Sequence, residues 1–116
     1  MWLKRDLRLK DHEPLHKALK QGMPILILYV LDPAYIKNPH YSERHFLFVR
    51  DSLRDLIQQL RSSQNHMYVA EGKTIEILED ISNHFIIKSL YSHQETGLNF
   101  TYDIDKEVAR WCKNHQ

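Results

Sequence analysis

The sequence predicts an α/β fold: a Rossmann-like three-layer sandwich around a parallel sheet of order 3-2-1-4, truncated at its ends. Two observations predict it. Short apolar runs alternate along the chain with stretches of helical periodicity. The runs lack the polar alternation of a half-exposed strand, so they read as strands buried on both faces. The 116 residues suffice for one domain, spanning 1–116, with a core of its own.

The elements follow in order. Met1, Trp2 and Leu3, with part of Lys4, make a first strand that is short against the usual five or six residues. Leu15, Ala18 and Leu19 then recur at helical spacing. Asp11 is the expected N-cap, and Pro14 falls in the first turn, where a missing N–H costs little. The unbroken run 24–31 makes the second strand, and a loop from Asp32 to Tyr41 follows it. After Ser42, a second N-cap candidate, Phe46, Val49, Leu53, Leu56, Ile57 and Leu60 form a long apolar stripe. Residues 67–70 make the third strand, Ile75, Leu78 and Ile81 a third helix, and 86–91 the fourth strand. A second long loop runs from Ser92 to Phe100. Ile104, Val108, Trp111 and Cys112 mark the last helix, with Asp103 and Asp105 near its positive end. Trp2 and Trp111 read as packing residues. The chain stops after this helix, where a doubly wound domain normally feeds another strand.

Composition narrows the function classes. Sixteen basic residues stand against fifteen acidic ones, for a net charge of +1. That balance gives no electrostatic reason for this chain to grip nucleic acid or a membrane by itself. The single cysteine, Cys112, allows no internal disulfide and suits a reducing compartment. The longest apolar run, 25–31, is far too short to span a bilayer, and the opening residues lack a signal-peptide layout. The expected location is cytoplasmic.

Several motifs can be weighed on their chemistry. His12-Glu13-Pro14-Leu15-His16 satisfies the H-E-x-x-H pattern, in which two imidazoles one turn apart hold zinc and the glutamate activates water. Here the motif opens a helix and contains a proline, which is the wrong context. A chain with eight histidines matches such a pattern easily by chance. No metal ligand and no catalytic residue is assigned. The only glycines are Gly22, Gly72 and Gly97, so no Gly-rich phosphate loop can be written. Gly72 and Gly97 read as turn residues. The cluster Lys4-Arg5-Asp6-Leu7-Arg8 lies where the first strand ends. Ligands in open parallel sheets sit beyond the carboxyl ends of strands, near the reversal of strand order. Two arginines around an aspartate there suit a phosphate, a carboxylate, a neighbouring domain, or an internal Arg–Asp network.

Trp2-Leu3-Lys4-Arg5-Asp6-Leu7-Arg8-Leu9-Lys10-Asp11 resembles the opening W-F-R/K-R-D-L-R-x-x-D signature of photolyases and cryptochromes. The resemblance runs in order along the whole chain. It includes Leu31-Asp32-Pro33, the stretch from Ser42 through Leu56, Val69-Ala70-Glu71-Gly72 with Ile75 to Leu78, and Ser92 to Gly97 followed by Tyr102 to Val108. There are departures. The family commonly has Asp-Asn-Pro where this chain has Asp11-His12-Glu13-Pro14, and Arg-Asp where it has Ile104-Asp105. The His93-Gln94-Glu95-Thr96-Gly97 loop differs from the usual tyrosine-rich version, so the type of antenna pigment does not carry over.

The resemblance implies that this is the N-terminal domain of a flavoprotein whose FAD sits in a C-terminal helical domain absent here. Photolyases use light-driven electron transfer from reduced FAD to split pyrimidine dimers in DNA, so DNA would be met only through the full-length protein. This chain alone is expected to hold no FAD and to catalyse nothing. Many members carry a folate, deazaflavin or flavin antenna pigment in this domain. Switch-point geometry then nominates Arg5, Asp6, Arg8, Asp32, Ser92, His93, Gln94 and Glu95 as pigment contacts, or as the interface with the helical domain. An interface bared in this way is expected to draw copies of the chain into a dimer. The alternative is a stand-alone nucleotide-binding or stress-response-type α/β domain, which shares the architecture.

Overall fold

The computed structural model describes residues 1–4, 7, 12–37, 43–62, 65–92 and 99–115, with the backbone alone for Tyr35, Ile36 and 99–102. The elements are β1 (Trp2–Leu3), α1 (Glu13–Lys20), β2 (Ile27–Leu31), α2 (Pro33–Lys37), α3 (Glu43–Ser62), β3 (Met67–Glu71), α4 (Thr74–His84) and α5 (Asn99–Asn114).

The sheet is parallel, in the order β1-β2-β3, with Trp2 opposite Leu28 and Tyr29 opposite Val69. This is the 3-2-1 part of the expected order. The fourth strand differs from expectation. The segment 85–92 lies beside β1 but forms no ladder there, and its one backbone bond to β1 runs from the Trp2 N–H to the Tyr91 carbonyl at 2.9 Å. The side of β1 is nevertheless decided. Met1 offers its carbonyl to Leu28 of β2, and the next residue in a strand points its N–H the other way, toward Tyr91. A strand as short as β1 presents too few backbone groups on that edge to template a longer ladder. Ile86 is accordingly 86% exposed instead of buried.

The side chains of the sheet alternate between two cores. Trp2, Leu28 and Val30 meet Leu78 and Ile81 of α4 and Ile104, Val108 and Trp111 of α5. Met1, Leu3 and Ile27 meet Leu15 of α1 and Leu56 and Leu60 of α3. Helices on both faces make the three-layer sandwich. The change of face falls between α3 and α4, so strand order reverses at β1. Both tryptophans pack in the α4–α5 core, as their positions in the sequence implied.

Local chemistry corrects several boundaries. His12, not Asp11, caps α1: its backbone is extended and its Nδ1 accepts the Leu15 N–H at 3.1 Å. Asp11 and Ser42 lie outside the described residues. β2 starts at Ile27 instead of 24. The loop after β2 begins as a helix, α2, because Asp32-Pro33 supplies a side-chain cap followed by a residue whose φ is already helical. β3 is an edge strand, so it is not buried on both faces; only Ala70 among its residues is buried. The α3 stripe packs fully only at Leu56 and Leu60, and Phe46 is exposed. No described helix is long and apolar enough to cross a membrane.

Candidate functional site

The carboxyl ends of β1, β2 and the 85–92 segment bring the described candidates to one end of the sheet. Asp32 follows the last residue of β2. It is 7% exposed, and its carboxylate is committed to protein donors. Oδ1 accepts the Ala34 N–H at 3.0 Å, which caps α2. Oδ2 accepts both the N–H and the hydroxyl of Thr74, each at 2.9 Å. Thr74 opens α4, and the local cap position, Lys73, makes no side-chain cap bond. Asp32 therefore caps two helices at once, one adjacent in sequence and one remote. The negative carboxylate also suits the positive end of the α4 dipole. The backbone supports this approach: the Gly72 N–H reaches the Leu31 carbonyl at 3.1 Å, and Gly72 has φ 148, a conformation that disfavours any side chain.

A second polar centre sits at the end of β1. The Lys4 ammonium lies 2.7 Å from Asp105 Oδ1 and 4.5 Å from the centre of the Trp2 ring. Lys4 is buried, so the pair is shielded from solvent and joins β1 to α5. Beside it, Ser92 lines an open groove of about 400 Å³ with Trp2, Asp105, Lys106 and Cys112. Burial pushes the Cys112 thiol above its ordinary range.

The sequence-based candidates thus divide. Asp32 and Ser92 stand at the expected end of the sheet, while Arg5, Asp6, Arg8, His93, Gln94 and Glu95 lie outside the described residues. Of the two described, Asp32 already accepts from three internal donors. Ser92 is part-exposed. The H-E-x-x-H histidines take different roles. His12 is 0% exposed and spends Nδ1 on the helix cap, while His16 faces outward. Among the described residues, no group of three or more His, Cys, Asp or Glu is placed to hold a metal ion.

A family model described as DNA photolyase matches residues 1–116. The chain belongs to this family. Cryptochrome DASH from Synechocystis is 32% identical over 115 residues, which cover 95% of this chain and 23% of that protein. A Synechocystis cryptochrome crystal structure superposes with a TM-score of 0.85 at 29% identity, covering 94% of this chain and 23% of that one. The crystal structure of an archaeal photolyase from Sulfolobus tokodaii with two FAD molecules gives 0.87 at 25% identity, covering 98% of this chain and 26% of that one. The chain therefore spans about a quarter of the length of these relatives.

Within this photolyase-family fold, the structure adds residues that the sequence reading missed. Thr74 is 42 positions from Asp32, so no local pattern pairs them. The one available hint was a helix start lacking its own Ser, Asp or Asn cap. Lys4 was read as part of a basic cluster, but burial and Asp105 turn it into a structural pin. Asp105 was placed near the α5 dipole, and its partner came from the opposite end of the chain.

Proposed function

We propose that this chain is the α/β domain of a longer photolyase or cryptochrome flavoprotein, and that light-driven DNA repair or photoreception is carried out by FAD in a helical domain beyond these residues. The observation that carries the reading is the family match over the whole chain, combined with coverage of only about a quarter of each relative. The domain's share is support and positioning. Its carboxyl-end residues Arg5, Arg8, Ser92, His93, Gln94 and Glu95 offer donors and acceptors for an antenna pigment of the folate, deazaflavin or flavin type. Asp32 belongs to the scaffold beneath that surface, and Asp6 stays a candidate contact between its two flanking arginines. The role of Asp32 rests on its three internal bonds. The stand-alone nucleotide-binding reading has no observation in its favour.

The purified chain is expected to show no stoichiometric FAD and no dimer repair under blue light. It is expected to shift the absorption of an added folate or flavin. Arg8→Ala and Glu95→Ala should each weaken that uptake roughly 10- to 100-fold, the range for losing a charge-assisted hydrogen bond. Repair by the isolated chain would overturn the domain reading. Failure of every pigment to bind would assign these residues to the interface with the helical domain instead.

A further inference from the structure

The line of β1 runs on into a groove at the amino end of the sheet. Trp2 lies opposite Leu28, so Met1 falls opposite Ile27. Met1 makes both bonds of a parallel ladder. Its ammonium donates to the Leu26 carbonyl at 2.9 Å, and its carbonyl accepts the Leu28 N–H at 2.8 Å. Past Met1 lies an apolar groove of about 480 Å³, walled on one side by Pro24, Ile25 and Leu26 and on the other by 85–91.

Three properties of this groove suit a peptide strand. The first is its backbone. In a strand, a residue's N–H and carbonyl point to the same side. Leu26 gives its carbonyl to Met1, so its N–H faces the groove. Tyr91 gives its carbonyl to Trp2, so its N–H faces the groove from the opposite wall. Neither of these N–H groups, nor that of Ser89, has a protein partner among the described residues. The second is the lining. Leu78 and Ile81 of α4 cover one face and Ala18 of α1 the other, so side chains alternating along a strand meet apolar surface both ways. The third is charge. Among the described residues, the charged groups lining the groove are the Met1 ammonium and Lys88, both cationic. Burial pushes the Met1 amine below its ordinary range, and a carboxylate beside it offsets that desolvation.

We propose that this groove binds an extended apolar peptide that continues the line of β1, parallel to β2, with its terminal carboxylate against the Met1 ammonium. The direction follows from charge. A parallel peptide runs toward Met1 and brings its carboxyl end there, whereas an antiparallel one brings a second ammonium. The last three residues stand opposite Leu26, Ile25 and Pro24 and take main-chain bonds from both walls, as in strand addition to a sheet.

The test is titration of the full chain with the peptide acetyl-Thr-Val-Ile-Val, followed by amide chemical shifts. The Leu26, Ser89 and Tyr91 amides should move together and saturate. The carboxamide form of the peptide should bind roughly 10-fold more weakly, having lost a charge-assisted hydrogen bond. The same peptide with N-methylated amides keeps its side chains but cannot pair as a strand, and it should bind at least roughly 10-fold more weakly. Ser89→Pro removes a wall donor that makes no bond in the free chain, so it should weaken binding and leave Tm unchanged. Equal binding of the N-methylated peptide would reduce the groove to a greasy surface, and equal binding of the carboxamide would remove the carboxylate from Met1; either overturns the proposal. So does the absence of saturable shifts while copies of the chain still associate, which would give the groove to a second copy.

Discussion

Asp32 shows how one side chain can organise the end of a sheet. Its oxygens take three bonds, two of them from a residue that opens a different helix. Replacing it by alanine leaves those donors without their acceptor in a buried place. We expect Asp32→Ala to destabilise the domain by about 2–4 kcal/mol, from the loss of charged hydrogen bonds plus buried groups left unsatisfied. Urea unfolding at neutral pH measures this. A loss below about 0.5 kcal/mol, the size typical of exposed sites, would mean that water replaces the carboxylate without penalty. Lys4 and Asp105 follow different logic. A buried pair offsets its own desolvation, so its presence specifies how β1 meets α5 more than it stabilises the fold.

Helix α3 shows how an amphipathic element can be anchored over only part of its length. Twenty residues make a helix of about 30 Å, whereas the five residues of β2 span about 17 Å. Leu56 and Leu60 reach the core, but Phe46, Leu47 and Phe48 near the other end are exposed, Phe48 at 69%. Leu56→Ala should therefore cost about 2–5 kcal/mol, the range for truncating a fully packed leucine. Phe48→Ala should change stability by less than about 0.5 kcal/mol. Thermal unfolding of both variants tests the contrast, and equal costs would mean that the start of α3 is packed after all. The apolar spacing in the sequence drew the whole stripe correctly as a helix. It carried no information on where the sheet beneath it ends.

The whole molecule exposes apolar surface at the end of the sheet opposite the carboxyl-end site. Met23, Leu26, Phe85 and Ile86 are all exposed around one apolar groove of about 480 Å³. In the sequence, Tyr35, Ile36 and Tyr41 of the loop from Asp32 to Tyr41 also lack a periodicity that would bury them, and their side chains lie outside those described. Apolar patches of several hundred Å² drive association. The isolated chain is expected to sediment faster with rising concentration. Phe85→Ser combined with Ile86→Ser should reduce that dependence. A strict monomer at high concentration, or association unchanged in the double variant, would show that this surface is inert.

What the sequence determined by itself was the part of the fold governed by local pattern. The apolar runs placed β2 and β3, helical spacing placed α1, α3, α4 and α5, and the photolyase-like blocks placed the family. The parallel order of the first three strands followed from β-α alternation alone. Tertiary structure decided whatever depends on a partner distant in the chain. The pairing of Asp32 with Thr74 and of Lys4 with Asp105, the contact of Glu79 with Trp111 and His115, and the failure of 86–91 to form a ladder on so short a β1 are all of this kind. Periodicity reports which face of an element seeks burial. Hydrogen bonds and charges are satisfied by atoms within about 3 Å, and those neighbours exist only once the chain has folded.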